Sequence, residues 1–472
     1  MNAGAKPTRA GGHDGEVVVI GGGLAGVSAA IRLADAGRQV VLLESRPRLG
    51  GATYSFTRGE LTVDTGQHVL LRCYSAYREL LARLGVSDRV TMAERLDIPV
   101  LLAGGGQARL RSARGLPAPL HLLPALGRYG ALTRAERLRA VGAAAAFRRV
   151  DPDDPATDEI PFGRWLAEHG QDEPAVRRLW GLLCVAALNQ RPEQASLALM
   201  ARVVRTGLLT GARSADIGVP AVPLAALHDE PARTVLARLG VRVLLSERVE
   251  RLDPVPDGIV VRTRAGETEA AQVVLAAPHR VAARLVPVEA APDRQRWAGL
   301  GSSPIVNAHV HYDRLVTGSR LAGQRFAAAP DSGVQWVFDR TAAAGASRGQ
   351  YLVTSVSAAD DALELPAAEL IAAQTAELAR LFPAAASAAV LDAFVTREPH
   401  ATFCQQAGSA ALRPPARTAL AGVALAGAWT ATGWPDTMEG AVRSGLTAAD
   451  TLLGGPNGRT EPVGSVRTEV SA

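Results

Sequence analysis

Lysine is nearly missing from this chain. Lys6 is the only one among 472 residues, so arginine carries almost all of the positive charge. Cysteine is scarce too. Cys73, Cys184 and Cys404 lie far apart and form no CxxC pair, which excludes a four-cysteine iron–sulfur cluster and a zinc ribbon. So few thiols fit a reducing compartment. Aromatic residues make up only 4%, and no basic run is interleaved with them, so nucleic acid is not expected as a partner despite the net charge of +5. Residues 1–16, MNAGAKPTRAGGHDGE, hold no apolar stretch, and no secretory signal is expected. The longest uncharged run, 418–435, is long enough to span a bilayer. It is rich in Gly, Ala and Thr and ends near Trp-Pro, so it reads as a buried strand and loop.

What remains is ordinary globular composition. Hydrophobic residues are 47% and charged residues 21%, which argues against disorder. At roughly 150 residues per domain, the length allows two or three domains. Segments 1–14 and 454–472 read as flexible tails. A β-branched run at 16–20 leads into Gly21–Gly23. Leu24, Val27, Ile31 and Ala34 then recur at helical spacing, and Gly37 sits where a helix-ending glycine belongs. A second apolar strand follows at 39–44. From about 90 to 215 the pattern turns helical and irregular, with an apolar helix expected at 177–189. Strands return at 241–245, 249–252, 259–264 and 272–276. Further elements are expected at 305–311 (strand), 369–382 (helix), 423–426 (strand) and 438–453 (helix).

Gly21-x-Gly23-x-x-Gly26 follows a strand and opens a helix. The first glycine permits a tight turn, the second lets backbone approach a pyrophosphate, and the third lets helix pack on strand. Free N–H groups at the helix start, near Leu24 and Ala25, would face the phosphates. Glu44 ends the second strand and is placed to accept both hydroxyls of an adenosine ribose. Glu44 does not separate FAD from NAD. The continuation Ser45-Arg46-Pro47-Arg48-Leu49-Gly50-Gly51 resembles the FAD pattern of the flavin amine oxidase and phytoene desaturase superfamily. There a Cβ-free backbone runs beside the FAD pyrophosphate, with Arg46 or Arg48 as counter-charge. No second GxGxxG occurs, so the chain offers no dedicated NADPH site and an external reductant is expected.

Further motifs narrow the resemblance. Asp64-Thr-Gly66-Gln67-His68, the stretch 180–189, the strand ending Ala-Ala-Pro278, and above all 427–445 (GAWTATGWPDTMEGAVRSG) are similar to hydroxysqualene dehydroxylases, also called squalene-associated FAD-dependent desaturases. The resemblance runs over roughly residues 16–453. It implies an α/β protein. A Rossmann-like FAD-binding domain would be built from 15–90, 216–280 and 416–453, and an inserted α+β substrate-binding domain from 91–215 and 281–415. It implies removal of the hydroxyl of hydroxysqualene, with hydride from reduced flavin. Gly66 and Gln67 would approach the cofactor, the Val249 backbone would pair with adenine, and Gly427, Ala428, Thr437, Met438 and Ala441 would close over the flavin. Two positions depart from the family pattern. Ala428 stands where an acid is usual and Ala52 where an arginine is usual. Each loss removes charge-assisted hydrogen bonds worth ~1.5–3 kcal/mol. Arg46 and Arg48 stand as compensating charges.

Loss of water from an allylic carbinol needs an acid near the leaving oxygen, an apolar cavity and π-faces. His68 is the first candidate acid, with Gln67 positioning; its other reading is a histidine bonded only to backbone or FAD. Asp436 and Glu439 come second, and helix-start capping is their plainer role. Trp434, Trp429 and Trp336 are candidates to line the cavity, and only Trp434 rises above core packing, because it opens 434–445, the most specific part of the motif. No metal is expected: His309 and His311 share a strand face but lack a third ligand. The apolar stretch 116–132 reads either as a monotopic membrane contact for a hydrophobic isoprenoid or as a packed loop. A cytoplasmic protein, peripheral on the inner membrane face, follows from the first reading. The competing functions are an isoprenoid or carotenoid desaturase or oxidase, running hydride onto oxidised flavin, and a non-catalytic lipid carrier. An amine oxidase would need a lysine near the flavin, and Lys6 is the only one.

Overall fold

The computed structural model describes residues 15–454; both segments read as tails lie almost wholly outside it. Five strands form a parallel sheet in the order Arg242–Leu245, Val40–Glu44, Val17–Ile20, Gln272–Leu275, Val423–Leu425. The three central strands are continuous apolar runs because both sheet faces are covered. Val17, Val19, Val40 and Leu42 face one layer, with the helices Leu24–Asp35 and Met438–Leu452. Val18, Ile20, Val41 and Leu43 face the other, which holds an antiparallel sheet of Val249–Val255, Gly258–Thr263 and Glu267–Ala270. The two helices cross closely. A Cβ at Gly445 would overlap the carbonyl oxygen of Ala25, so only glycine permits this approach.

A second, seven-stranded sheet runs Val390–Thr402, Ser303–Tyr312, Gln350–Ser357, Gln335–Asp339, Phe326–Ala329, Asp97–Leu101, Gln107–Arg111. Its pairs are antiparallel, except that Phe326–Ala329 pairs parallel to Asp97–Leu101. Helices between 134 and 203 pack against part of it around Phe147, Phe162, Trp165 and Trp180. This sheet corrects the reading of 90–215 as helical and irregular. Asp97–Leu101 carries Pro99, and Phe326–Ala329 is Phe-Ala-Ala-Ala, so neither advertises a strand. The helix expected at 177–189 is also divided. A π-helical stretch, Val176–Trp180, precedes Gly181–Leu188, which ends on left-handed Asn189. The uncharged run 418–435 holds the buried strand Val423–Leu425 and a loop, and no helix among the described residues is long and apolar enough to cross a membrane.

One buried ion pair ties the two sheets' neighbourhoods together. Asp64 accepts from Arg340 at 2.9 Å, from Ser55 Oγ at 2.6 Å and from the Leu224 N–H at 2.9 Å. Arg340 also donates to the carbonyls of Pro220 and Val222. Removing one partner of such a pair costs roughly 3–5 kcal/mol, because the other charge stays buried alone. Arg340→Met is therefore expected to lower the thermal midpoint sharply. Asp64→Asn in the same chain should recover part of the loss in a thermal melt; no recovery would mean that the carbonyl bonds, not the ion pair, set the stability.

Candidate active site

The glycine motifs build one cradle. Gly21 adopts φ +107°, and its missing Cβ clears the carbonyl of Ala276. A Cβ at Gly26 would overlap the Gly21 carbonyl oxygen, so the helix could not seat on its strand. Gly50 and Gly51, at φ +98° and +59°, fold back on the first motif: the Gly50 N–H donates to the Gly22 carbonyl at 2.9 Å. A Cβ at Gly51 would come within 2.9 Å of the Gly23 Cα. Gly23 differs. Its nearest neighbour in the Cβ direction is the Gly51 Cα at 3.7 Å, so the fold itself does not require a bare residue there. A backbone groove kept bare without a packing reason fits a pyrophosphate. Helix Leu24–Asp35 has no side-chain cap, which leaves N–H groups of Leu24 and Ala25 for phosphate oxygens.

Glu44 is buried at the end of its strand. Its Oε2 accepts the Gly22 N–H at 2.6 Å and Oε1 accepts the Arg46 N–H at 2.7 Å and the Ser45 hydroxyl. These bonds orient the carboxylate and leave lone pairs for ribose hydroxyls. Arg46 is exposed. Arg48 stacks over Tyr54 at 3.6 Å, with a buried Nε that has no partner. Ala52, where the family has arginine, is exposed and gives its carbonyl to the Thr65 hydroxyl. Val249 sits beside a bulge in its strand, where pairing to Thr263 breaks off before Arg251.

The closing loop is organised by a residue that the motifs do not contain. Arg413 is buried and donates to the carbonyls of Ala428, Thr430 and Trp434 at 2.9, 2.6 and 2.8 Å, and to the Thr432 hydroxyl. Burial pulls its pKa down to about 10, against the opposing pull of Asp436 and Asp158. A single guanidinium thus gathers the loop between Gly427 and the final helix. Arg413→Met should leave these carbonyls unpaired. We expect weaker flavin retention and faster proteolysis within 428–436; wild-type behaviour in both would show that the loop holds its shape alone. Gly427 adopts φ +137°, its N–H bonds Ser444, and Trp429 fills the space where its Cβ would be. Ala428 is buried beside Gly440. Thr437 caps the helix through the Gly440 N–H, which leaves those of Met438 and Glu439 free of the cap; Ala441 lies half-buried one turn in.

The candidate acids fare differently. Glu439 is fully buried and accepts the N–H groups of Ala76 and Tyr77, at the start of helix Ser75–Arg83, and pairs with Arg443 at 2.8 Å. It caps a neighbouring helix, the plainer of its two readings. His68 lies half-buried behind Gly66, with Nδ1 3.1 Å from the Gly66 carbonyl. That contact places the proton on Nδ1 and leaves Nε2 as an acceptor. Burial lowers its pKa, with only partial opposition from the Gly66 carbonyl and Asp64. The Gly66 contact matches the second reading of His68, a histidine bonded to backbone. Gln67 makes no hydrogen bond among the described residues. Asp436 is the remaining carboxyl. Its Oδ2 accepts the Phe403 N–H at 3.0 Å, and Gln405 receives its N–H at 2.8 Å. Burial pushes its pKa up to about 6, although the Phe403 bond and Arg413 oppose the shift.

Trp434 is half-buried, packs edge-on to Tyr74 at 6.0 Å, and carries Arg443 over its ring at 4.8 Å. Trp429 belongs to the core instead, with its indole N–H on the Ala277 carbonyl. Asn307 was not visible in the sequence as a site residue. It is fully buried, donates to the Thr65 carbonyl at 3.1 Å, and leaves Oδ1 without a partner. Thr65 bonds back to Ala52, beside Gly51, so Asn307 presents an unused acceptor at the junction of the large sheet and the cradle. His309 is engaged by Tyr351 and Thr396, and His311 by the Arg348 carbonyl.

Residues 24–453 match the model of the flavin containing amine oxidoreductase family. Hydroxysqualene dehydroxylase of Rhodopseudomonas palustris is 32% identical, covering 93% of this chain and 98% of its own. The 15-cis-phytoene desaturase of Glycine max is 27% identical over 93% of this chain and 79% of its own. Among solved structures, putrescine oxidase bound to putrescine superimposes with a TM-score of 0.70 at 19% identity, over 93% and 99% of the two chains, which shows a shared fold. The family carries FAD, and the bare backbone groove at Gly23 leaves room for such a dinucleotide. The chain belongs to the flavin-containing amine oxidoreductases, in the branch that holds the hydroxysqualene dehydroxylases, and is an FAD-dependent oxidoreductase.

Proposed function

We propose that this protein removes the hydroxyl of hydroxysqualene, an allylic isoprenoid alcohol, to give squalene. Bound reduced FAD supplies the hydride. The observation that carries the reading is the full-length likeness to a hydroxysqualene dehydroxylase, and Asp436, a half-buried carboxyl on the closing loop whose pKa burial pushes up to about 6, offers the acid it needs. Hydride abstraction from a hydrocarbon needs no such acid, whereas loss of water does. Asp436 would protonate the leaving oxygen as the carbon–oxygen bond breaks and water departs, leaving an allylic cation for the hydride that bound reduced FAD would supply. The Trp434 ring, on the same loop, would supply a π-system for the developing positive charge. Gly21, Gly23, Gly26, Glu44, Gly50 and Gly51 would hold the dinucleotide, Val249 would meet the adenine, and Thr437 and Met438 would present N–H groups to the flavin. His68 and Gln67 position substrate or flavin, and the Asn307 Oδ1 offers an acceptor to the same region. Residues 15–90, 216–280 and 416–453 act as the cofactor domain, and 91–215 and 281–415 as the substrate domain. An external reductant recharges the flavin, and segment 116–132 touches the inner face of the membrane.

The full-length likeness to a hydroxysqualene dehydroxylase supports this assignment, and the likeness to phytoene desaturases supports an isoprenoid substrate in either direction. Anaerobic incubation of the reduced protein with hydroxysqualene should yield squalene. Unchanged hydroxysqualene, with dehydrogenation of an isoprenoid hydrocarbon by the oxidised protein, would make it a desaturase.

A further inference from the structure

Away from the flavin cradle lies a second cavity, of about 490 Å3, beside the strand Gln107–Arg111. Arg95, Arg109, Arg111, Arg128, Arg320 and Ser112 line it. Arg109 and Arg111 both turn onto Asp97, at 2.5 and 3.2 Å. Arg95 and Arg128 have no ion pair among the described residues. Arg320 donates to the Gly105 carbonyl, and its Nη1 is buried without a partner. Ser112 is 2% exposed, and its hydroxyl is also unpartnered. Five guanidinium groups around one carboxylate leave this hollow with a net positive charge. Guanidinium forks match phosphate oxygens, so the lining suits a phosphate group.

The adjoining wall says which phosphate. Pro124, Ala125 and Arg128 line the cavity, and the same segment exposes Leu116, Leu120 and Leu123 at 39, 48 and 46%. Leu126 is buried and Leu122 packs on the core, so only the first three leucines face outward. Apolar side chains beside a cationic hollow suit a membrane surface, with leucines at the acyl boundary and arginines at the headgroup phosphate. We propose that this cavity binds the phosphate of an anionic phospholipid headgroup and so selects the membrane on which segment 116–132 docks. The proposal rests on that segment's contact with the membrane.

The test is co-sedimentation of the FAD-loaded protein with phosphatidylcholine vesicles, with and without phosphatidylglycerol. The wild type should prefer the anionic vesicles. Each basic residue at an anionic surface is worth roughly fivefold, so Arg95→Gln with Arg128→Gln should weaken binding roughly 25-fold on anionic vesicles only, with flavin content unchanged. Leu120→Asp with Leu123→Asp should weaken binding to both. Arg251→Gln with Arg264→Gln, on the three-stranded sheet, should keep the preference. Equal binding to both vesicle types, or an undiminished preference in the Arg95 and Arg128 variant, overturns the headgroup site and leaves the membrane contact standing. No binding to either overturns both. Saturable binding of inorganic phosphate that displaces the protein from anionic vesicles would make this a site for a soluble phosphate and overturn the lipid assignment.

Discussion

Gly23→Val should give a soluble, folded and colourless protein. The Cβ direction at Gly23 is open apart from the Gly51 Cα at 3.7 Å, so the added methyls fill the cradle without pushing on the fold. They stand where the pyrophosphate must pass. Gly26→Val should behave differently, because its Cβ overlaps the Gly21 carbonyl oxygen at the seat of helix Leu24–Asp35. That variant is expected in the insoluble fraction. Flavin content from absorbance near 450 nm (an approximate property of the cofactor itself) and circular dichroism separate the two outcomes. A Gly23→Val protein that retains a full complement of FAD would show that the cradle holds something else.

The second large effect is expected at Asp436. General acid assistance is typically worth ~10²–10⁴-fold, so Asp436→Asn should slow single-turnover dehydroxylation by about two orders of magnitude while keeping FAD. His68→Ala should cost less, since its Nδ1 is engaged by the Gly66 carbonyl. The pH profile separates an acid from a positioning group. With a pKa of about 6, Asp436 is the proton donor below that pH, and the wild-type rate should fall as pH rises through about 6. Asp436→Asn should lose this limb and His68→Ala should keep it. Stability follows the same group. Its folded pKa lies above the ordinary 3.8, so between the two values the folded state holds the extra proton. Stability therefore declines as pH rises from about 4 to about 6, by at most about 3 kcal/mol for two units. Denaturant unfolding across that range should show the decline in the wild type and a flatter curve in Asp436→Asn. A collapse of the rate in His68→Ala, with Asp436→Asn near wild type, would return the acid to the histidine.

The parallel sheet and its cradle were readable from sequence because their physics is local. Apolar strands, glycines that a turn demands, and a terminal acid occur within thirty residues. The large sheet was not. Its strands draw their pattern from pairing across long separations, and alanines at 327–329 or Pro99 gain a strand conformation only from neighbours. The site shows the same division. Arg413 and Asn307 matter through bonds to distant carbonyls, from Thr65 to Trp434, and nothing in the residues around them signals it. Glu439 lies in the most specific motif of the chain and still serves as a cap for helix Ser75–Arg83, a partner that sequence order hides. Arg340 likewise meets Asp64 only in three dimensions.

The direction of hydride flow is the centre of the account, and one measurement addresses it directly. The wild-type holoprotein is reduced anaerobically in D₂O, where the transferable flavin hydrogen exchanges with solvent, and is mixed with hydroxysqualene for a single turnover. The account predicts that flavin colour returns as squalene appears in equal amount, with deuterium at the former carbinol carbon. Squalene without deuterium, or flavin that stays reduced beside unconsumed hydroxysqualene, would contradict it.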